Sequence, residues 1–215
     1  MDTTEKKPSH VDTLTIGLLL LVFVITAAVY GRLPDPMPTH FGPSGRPNGW
    51  MARPWGAWLV PGLSVALAAL LRFGARLLPG EWRGRLEASP VRLLCLVTVG
   101  FLGAVHLLVV RAALSPAKTL GSSSWVLTGT FLVVLGQILP RTRRNPFVGV
   151  RTAWTLTSDE NWAQTHRVAG YACTVGGAVV ALAGFLRAPA LAIATLLVTA
   201  SVPLLWSWRL ARRGT

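Results

Sequence analysis

Negative charge is scarce in this chain: eight Asp and Glu stand against 21 Lys and Arg in 215 residues, for a net charge of +13. Charge of either sign is rare as well, at 13% against 52% hydrophobic residues. A soluble domain of this length needs less apolar material for its core and more charge for its surface. Cysteine is nearly absent. Cys95 and Cys173 both fall in apolar stretches, which excludes a disulfide framework and leaves each as a small apolar packing group. No Cys-x-x-Cys pair, His-Glu-x-x-His helix or Gly-Lys-Ser/Thr phosphate loop occurs. The usual redox, zinc-hydrolase and nucleotide-hydrolase readings fall with them, so no enzymatic activity, metal or cofactor is expected.

What the chain does have is apolar sequence in six blocks. The uncharged runs are Leu14–Tyr30, Trp55–Leu71, Leu93–Val110, about Ser123–Leu139, Val168–Leu186, and a last one from the Arg187-Ala188-Pro189 turn to Trp208. Even the shortest, at 17 residues, just covers the roughly 30 Å of bilayer hydrocarbon. Asp2, Glu5 and Asp12 ahead of the first run, and five more runs behind it, distinguish it from a signal peptide. The expectation is an all-α integral membrane protein of six transmembrane helices. A pI near 11.6 would suit nucleic acid if the cations shared a face, but they sit in the connections between runs. Direct nucleic-acid binding is therefore not expected, and the lipid bilayer is the first partner.

The cations also give an orientation. With the N-terminus in the cytoplasm, fifteen Lys and Arg fall in inner segments and six in outer ones, which the positive-inside rule reads as both termini cytoplasmic. The chain then divides into a cytoplasmic tail (1–13), the first two spans with an outer proline-rich loop (14–78), a basic inner loop with spans three and four (79–139), and a C-terminal region (140–215). Residues 32–54 face outward and residues 145–167 inward, so the two loops lie on opposite faces of the bilayer. Five prolines between Leu33 and Gly49 exclude a helix in the outer loop, and a folded loop of polyproline character is expected there.

Residues 145–167 are the longest polar connection and the main candidate site. Pro146 and Gly149 break regular structure at its start. Thr157-Ser158-Asp159-Glu160 fits a capping box, with Glu160 reaching back to the cap, so an interfacial helix should begin near Ser158 and run straight into the fifth span. Two readings stay open. In the first the segment is an interfacial anchor, with Trp154 and Trp162 at headgroup depth and Arg151 and Arg167 on lipid phosphates. In the second it is a binding surface for a peptide or protein partner, built from an Arg fork with adjacent aromatics. A mixed outcome pairs Arg151 with Asp159 or Glu160 to fix the loop and leaves the Trp rings exposed. His166, beside Arg167, is expected to serve that interface.

Elsewhere, Ala169, Cys173, Gly177 and Ala181 form a small-residue stripe suited to close helix approach. His106 is expected to hydrogen-bond inside the bundle, because a metal site with His40 would have only Asp35 as a further ligand. Gln137 and Thr128 in span four read better as helix-to-helix hydrogen bonds than as a transport pathway.

The words Gly149-Val150-Arg151-Thr152-Ala153-Trp154-Thr155-Leu156, then Glu160 and Trp162, then Thr165-His166-Arg167 and Gly170, resemble the signature of the SdpI family of bacterial membrane immunity proteins. Ala153 stands where that pattern has Pro. The outer string from Leu33 through Pro38, His40, Phe41, Gly45 and Trp50 is similar to a small uncharacterised domain that often precedes the SdpI region, with Asn48 where Asp is common. The resemblance implies a multi-pass protein of the bacterial cell membrane that gives resistance to a membrane-active toxin peptide by binding or blocking it. Ligand or partner binding would involve Asn145, Gly149, Arg151, Thr152, Trp154 and Thr155, then Glu160, Trp162, Thr165, His166 and Arg167. Two alternatives remain: a receptor that holds a cytosolic transcriptional regulator, and a small transporter.

Overall fold

The structure, a computed structural model, describes residues 9–74 and 89–213. Most of the N-terminal tail, the boundary drawn between 78 and 79, and Arg76, Arg83 and Arg85 of the basic loop lie outside the described residues. Six helical segments are long and apolar enough to cross a membrane: His10–Arg32, Arg53–Phe73, Pro90–Leu114, Ser123–Arg141, Asp159–Phe185 and Pro189–Arg213. The chain is a multi-pass membrane protein of the cell membrane.

The elements are α1 (His10–Val29), β1 (Met37–Phe41), β2 (Pro47–Met51), a short α2 (Arg53–Gly56), α3 (Leu59–Phe73), α4 (Ser89–Leu114), α5 (Ser123–Ile138), a short α6 (Ala153–Thr157), α7 (Asp159–Phe185) and α8 (Pro189–Arg213). Several helices overrun their uncharged windows because caps, not hydropathy, set their ends. Ser9 starts α1 by accepting from the Asp12 N–H while Asp12 accepts from the Ser9 N–H, a reciprocal pair four residues ahead of the apolar run.

Packing between the helices relies on small residues, while large ones such as Leu20, Val24, Leu182 and Leu197 point outward. That inversion suits a bilayer, where Leu gains nothing by leaving lipid and close backbone approach supplies the attraction. The tightest pair is α5 on α7. A Cβ at Gly136 would lie 2.6 Å from the Gly170 carbonyl, and one at Gly177 would lie 2.6 Å from the Gly129 carbonyl, so neither position has room for a side chain. Thr174 joins the same seam by accepting from Gln137 Nε2 at 2.9 Å. The small-residue stripe thus meets α5 through Gly177 and Ala181, while Gly176 turns toward Thr199 of α8. Arg187, at φ +54, closes the tight α7–α8 turn into an antiparallel hairpin.

The proline-rich outer loop is not polyproline in character; it is a two-stranded antiparallel hairpin with irregular register, pairing Pro38 with Trp50 and Phe41 with Pro47. Gly42 and Gly45 turn the chain, and Gly45, at φ +76, brings its backbone against Gly121 where any Cβ would collide. Three bonds dock this turn on the α4–α5 connection: Leu120 N–H and Thr119 Oγ1 donate to the Gly45 carbonyl, and Trp125 Nε1 to that of Pro43. Tertiary docking at the turn therefore offsets the ladder donors that proline removes. Met37 and Leu33 are buried beneath the hairpin against Val109, Ala112 and Leu120.

The hairpin meets the N-terminal end of α5, and the 141–158 loop begins at its C-terminal end. Sixteen helical residues, about 24 Å, separate them, so the two signature loops occupy opposite ends of the bundle.

Candidate functional site

The 141–158 loop begins with an amide that folds the chain around itself. Asn145 Oδ1 accepts from the backbone N–H of Phe147 (3.0 Å) and Val148 (2.7 Å), and Nδ2 donates to the carbonyls of Arg143 (2.9 Å) and Val148 (3.2 Å). The side chain is fully buried with each of its bonding positions used. Phe147 and Val148 are thereby pressed into a cluster with Val91, Leu94 and Ile138, which ties the loop to α4 and α5.

Next the loop docks on α7. Val150 N–H donates to His166 Nε2 at 3.0 Å, and His166 Nδ1 lies 2.9 Å from the Trp162 carbonyl. Because a backbone N–H can only donate, Nε2 is the acceptor and the proton belongs on Nδ1; these partners assign the neutral ring. The Trp162 ring stacks on His166 with centroids 4.0 Å apart, and its Nε1 donates to the Thr142 carbonyl at 3.0 Å.

A hydroxyl network then fixes α6. Thr152 N–H donates to Thr155 Oγ1 (2.9 Å) and Thr155 N–H to Thr152 Oγ1 (3.1 Å), while Thr155 Oγ1 donates to the Val150 carbonyl. On α7, Asn161 Oδ1 accepts from Thr165 Oγ1 and Ser207 Oγ, and its Nδ2 donates to the Ser207 carbonyl at 3.0 Å. Thr152 Oγ1 lies 2.8 Å from Ser207 Oγ, so a single network links loop, α7 and α8.

Several expectations change here. The capping box lies at Thr152 and Thr155, whereas α7 is capped by Ser158, which accepts from Asn161 N–H; Glu160 accepts instead from Gln164. Trp162 and His166 are buried, the tryptophan only 2% exposed, because their polar atoms find backbone partners inside the fold and neither has to face the interface. Arg144, not Arg151, meets Asp159 at 2.6 Å and also donates to the Leu156 carbonyl. Arg151 donates to the carbonyl of Pro146. The sequence reading missed Asn161, Ser207, Thr142 and Arg144; a lone Asn on an apolar helix and a Ser between Trp206 and Trp208 were the available signals, since such groups need partners in lipid.

The candidate residues therefore separate into two sets. Asn145, Thr155, Trp162, Thr165 and His166 are buried and Thr152 is half-buried, whereas Gly149, Arg151, Trp154, Glu160 and Arg167 are exposed, beside Arg141 and Arg143. At the other end, Pro38 and Gly45 are buried and Phe41 is half-buried. His40 is exposed with Nδ1 2.5 Å from Asn48 Oδ1, and Trp50 is 54% exposed.

His106 is buried and bonds through Nε2 to Thr26 Oγ1 of α1 at 2.8 Å, while its Nδ1 is buried with no hydrogen-bond partner among the described residues. No hydrogen bond joins it to His40, and among the described residues no three His, Cys, Asp or Glu gather in metal-binding distance. Thr128 bonds to the Ser124 carbonyl within its own helix, so only Gln137 reaches across.

No curated protein and no solved structure matches the chain. Residues 17–65, covering α1 from Gly17 onward, the hairpin and the start of α3, match a domain of unknown function, DUF1648. The buried frame of Asn145, Thr155, Trp162 and His166 and most of the α7–α8 hairpin fall inside a second match: residues 141–207 of this membrane protein match the model of the SdpI/YfhL protein family.

Proposed function

We propose that the protein lowers sensitivity to a membrane-active toxin peptide by binding that peptide or blocking its action. One observation carries this reading: the inner loop is locked by buried bonds, while Arg151, Trp154 and Arg167 remain exposed on it. A preset platform of Arg and Trp binds with little ordering cost, and those residue types dominate binding hot spots. By the charge asymmetry, the hairpin carrying His40 and Trp50 faces outward, where a secreted peptide arrives. Expression in a toxin-sensitive bacterium tests the proposal. Survival should rise with the wild-type chain and fall back with Trp50→Ala or with Arg151→Ala combined with Trp154→Ala. Unchanged killing across several membrane-active peptides would overturn it.

The exposed cations of the inner loop favour one second reading, a receptor that holds a cytosolic regulator. Pull-down from lysate with the wild-type chain should then recover a soluble regulator that Arg151→Ala with Trp154→Ala releases. Recovery of no such protein would remove this reading and leave the first untouched.

A further inference from the structure

At the end of the bundle where the 141–158 loop lies, α1, α3 and α4 line a partly open cavity of about 390 Å³. That is on the order of a dozen times the volume of a water molecule in the liquid. Its walls are apolar, formed by Ile16 and Leu19 of α1, Val65 and Ala68 of α3, and Val91 of α4. Water gains no partners on such walls, and an empty space would forfeit dispersion contacts along them. An alkyl chain suits it.

The rim is charged. Asp12 is held at the start of α1 by its bond to Ser9 N–H and lies 3.9 Å from the half-exposed Arg72. Arg92, half-buried on the same rim, has no hydrogen bond or ion pair among the described residues. One guanidinium at the mouth therefore has no anionic partner among the described residues. The rim also sits where α1 and α4 begin and α3 ends, the depth at which helix ends meet lipid headgroups.

We infer that this cavity holds one phospholipid of the surrounding bilayer, with an acyl chain against Ile16, Val65 and Val91 and an acidic headgroup on Arg92 and Arg72. Two arginines to one aspartate disfavour a cationic peptide at the mouth. A zwitterionic lipid fills the apolar walls but leaves the spare arginine charge unmatched.

The test embeds the full chain in membranes of equal phosphatidylglycerol and phosphatidylcholine, exchanges it into detergent, and counts retained lipids by native mass spectrometry. Wild type should keep one phosphatidylglycerol in preference to phosphatidylcholine. Arg92→Gln, which preserves length and hydrogen bonding, should lower that preference about fivefold. Ala69→Phe, placed in the cavity wall, should expel both lipids with the rim charges intact; if it misfolds on gel filtration, Arg92→Gln still decides. Equal retention of the two lipids by wild type, an unchanged preference in Arg92→Gln, or full retention in folded Ala69→Phe would overturn the inference.

Discussion

Gly149 lies directly against the imidazole of His166: at φ +115 its backbone passes so close that any Cβ would occupy the position of Nε2, and the next N–H, from Val150, bonds to that same atom. Glycine and histidine are thus one unit, the first making room for the ring and the second terminating the strained backbone.

Gly149→Ala should accordingly destabilise the protein by about 2 kcal/mol or more, from the left-handed backbone and the displaced ring together. His166→Phe, which keeps an aromatic ring beside Trp162 but orphans the Val150 N–H, should cost about 1–3 kcal/mol. Thermal unfolding in detergent measures both, and a Gly149→Ala protein as stable as wild type would contradict this geometry.

Asn145→Ala removes four hydrogen bonds made by one fully buried side chain. The loop between Arg141 and Thr157 should become cleavable by trypsin at Arg143, Arg144 and Arg151, while the span helices stay protected in micelles. Cleavage at the wild-type rate would show that the turn holds without its amide.

The α5–α7 seam tolerates no bulk. Gly136→Val would drive a side chain into the Gly170 carbonyl and the backbone of Thr174, and should yield a chain that aggregates on solubilisation. Gly62→Val, on the open face of α3 with nothing within 4 Å, should purify like wild type and serve as the matched control.

Opposite ends of α5 carry the two loops, so single cysteines should report opposite compartments. In a chain with Cys95 and Cys173 replaced by Ala, an impermeant maleimide added to intact cells should label Ser44→Cys and spare Thr157→Cys until the membrane is opened. Labelling of both from outside would collapse the inside–outside assignment.

Arg151→Ala and Trp154→Ala remove exposed groups whose loss leaves the buried frame intact. Stability should move by no more than about 0.5 kcal/mol while protection against the peptide is lost. A large drop in unfolding temperature would instead assign these side chains to the fold.

The spans were readable because exclusion of charge from hydrocarbon acts on every residue of a run and leaves a continuous mark. The start of α7 was readable because Ser158 is a capping residue by type, although Glu160 bonds to Gln164 instead of reaching back to the cap. Which side chains in the inner loop point inward was not readable. Trp162 and His166 have the composition of an interface, yet both are buried, because the Thr142 carbonyl and Val150 N–H that satisfy them come from chain 16–20 residues away. Arg144 and Arg151 are alike in sequence, and only the fold of the Asn145 turn decides which of them reaches Asp159. The outer prolines exclude a helix and point to polyproline character, and docking of Gly45 on the α4–α5 connection supplies bonds that support a hairpin instead.

The sequence by itself determined that the chain crosses a membrane six times, where each crossing lies, and that its polar chemistry gathers in two connectors. Those properties follow from the cost of charge in lipid, which is paid residue by residue. Tertiary structure alone decided that one connector is a hairpin, that half of the signature residues are frame, and that three helices leave a charged-rimmed cavity between them. Each of these depends on which distant groups become neighbours, and hydrogen bonds and close packing act only once those neighbours have met.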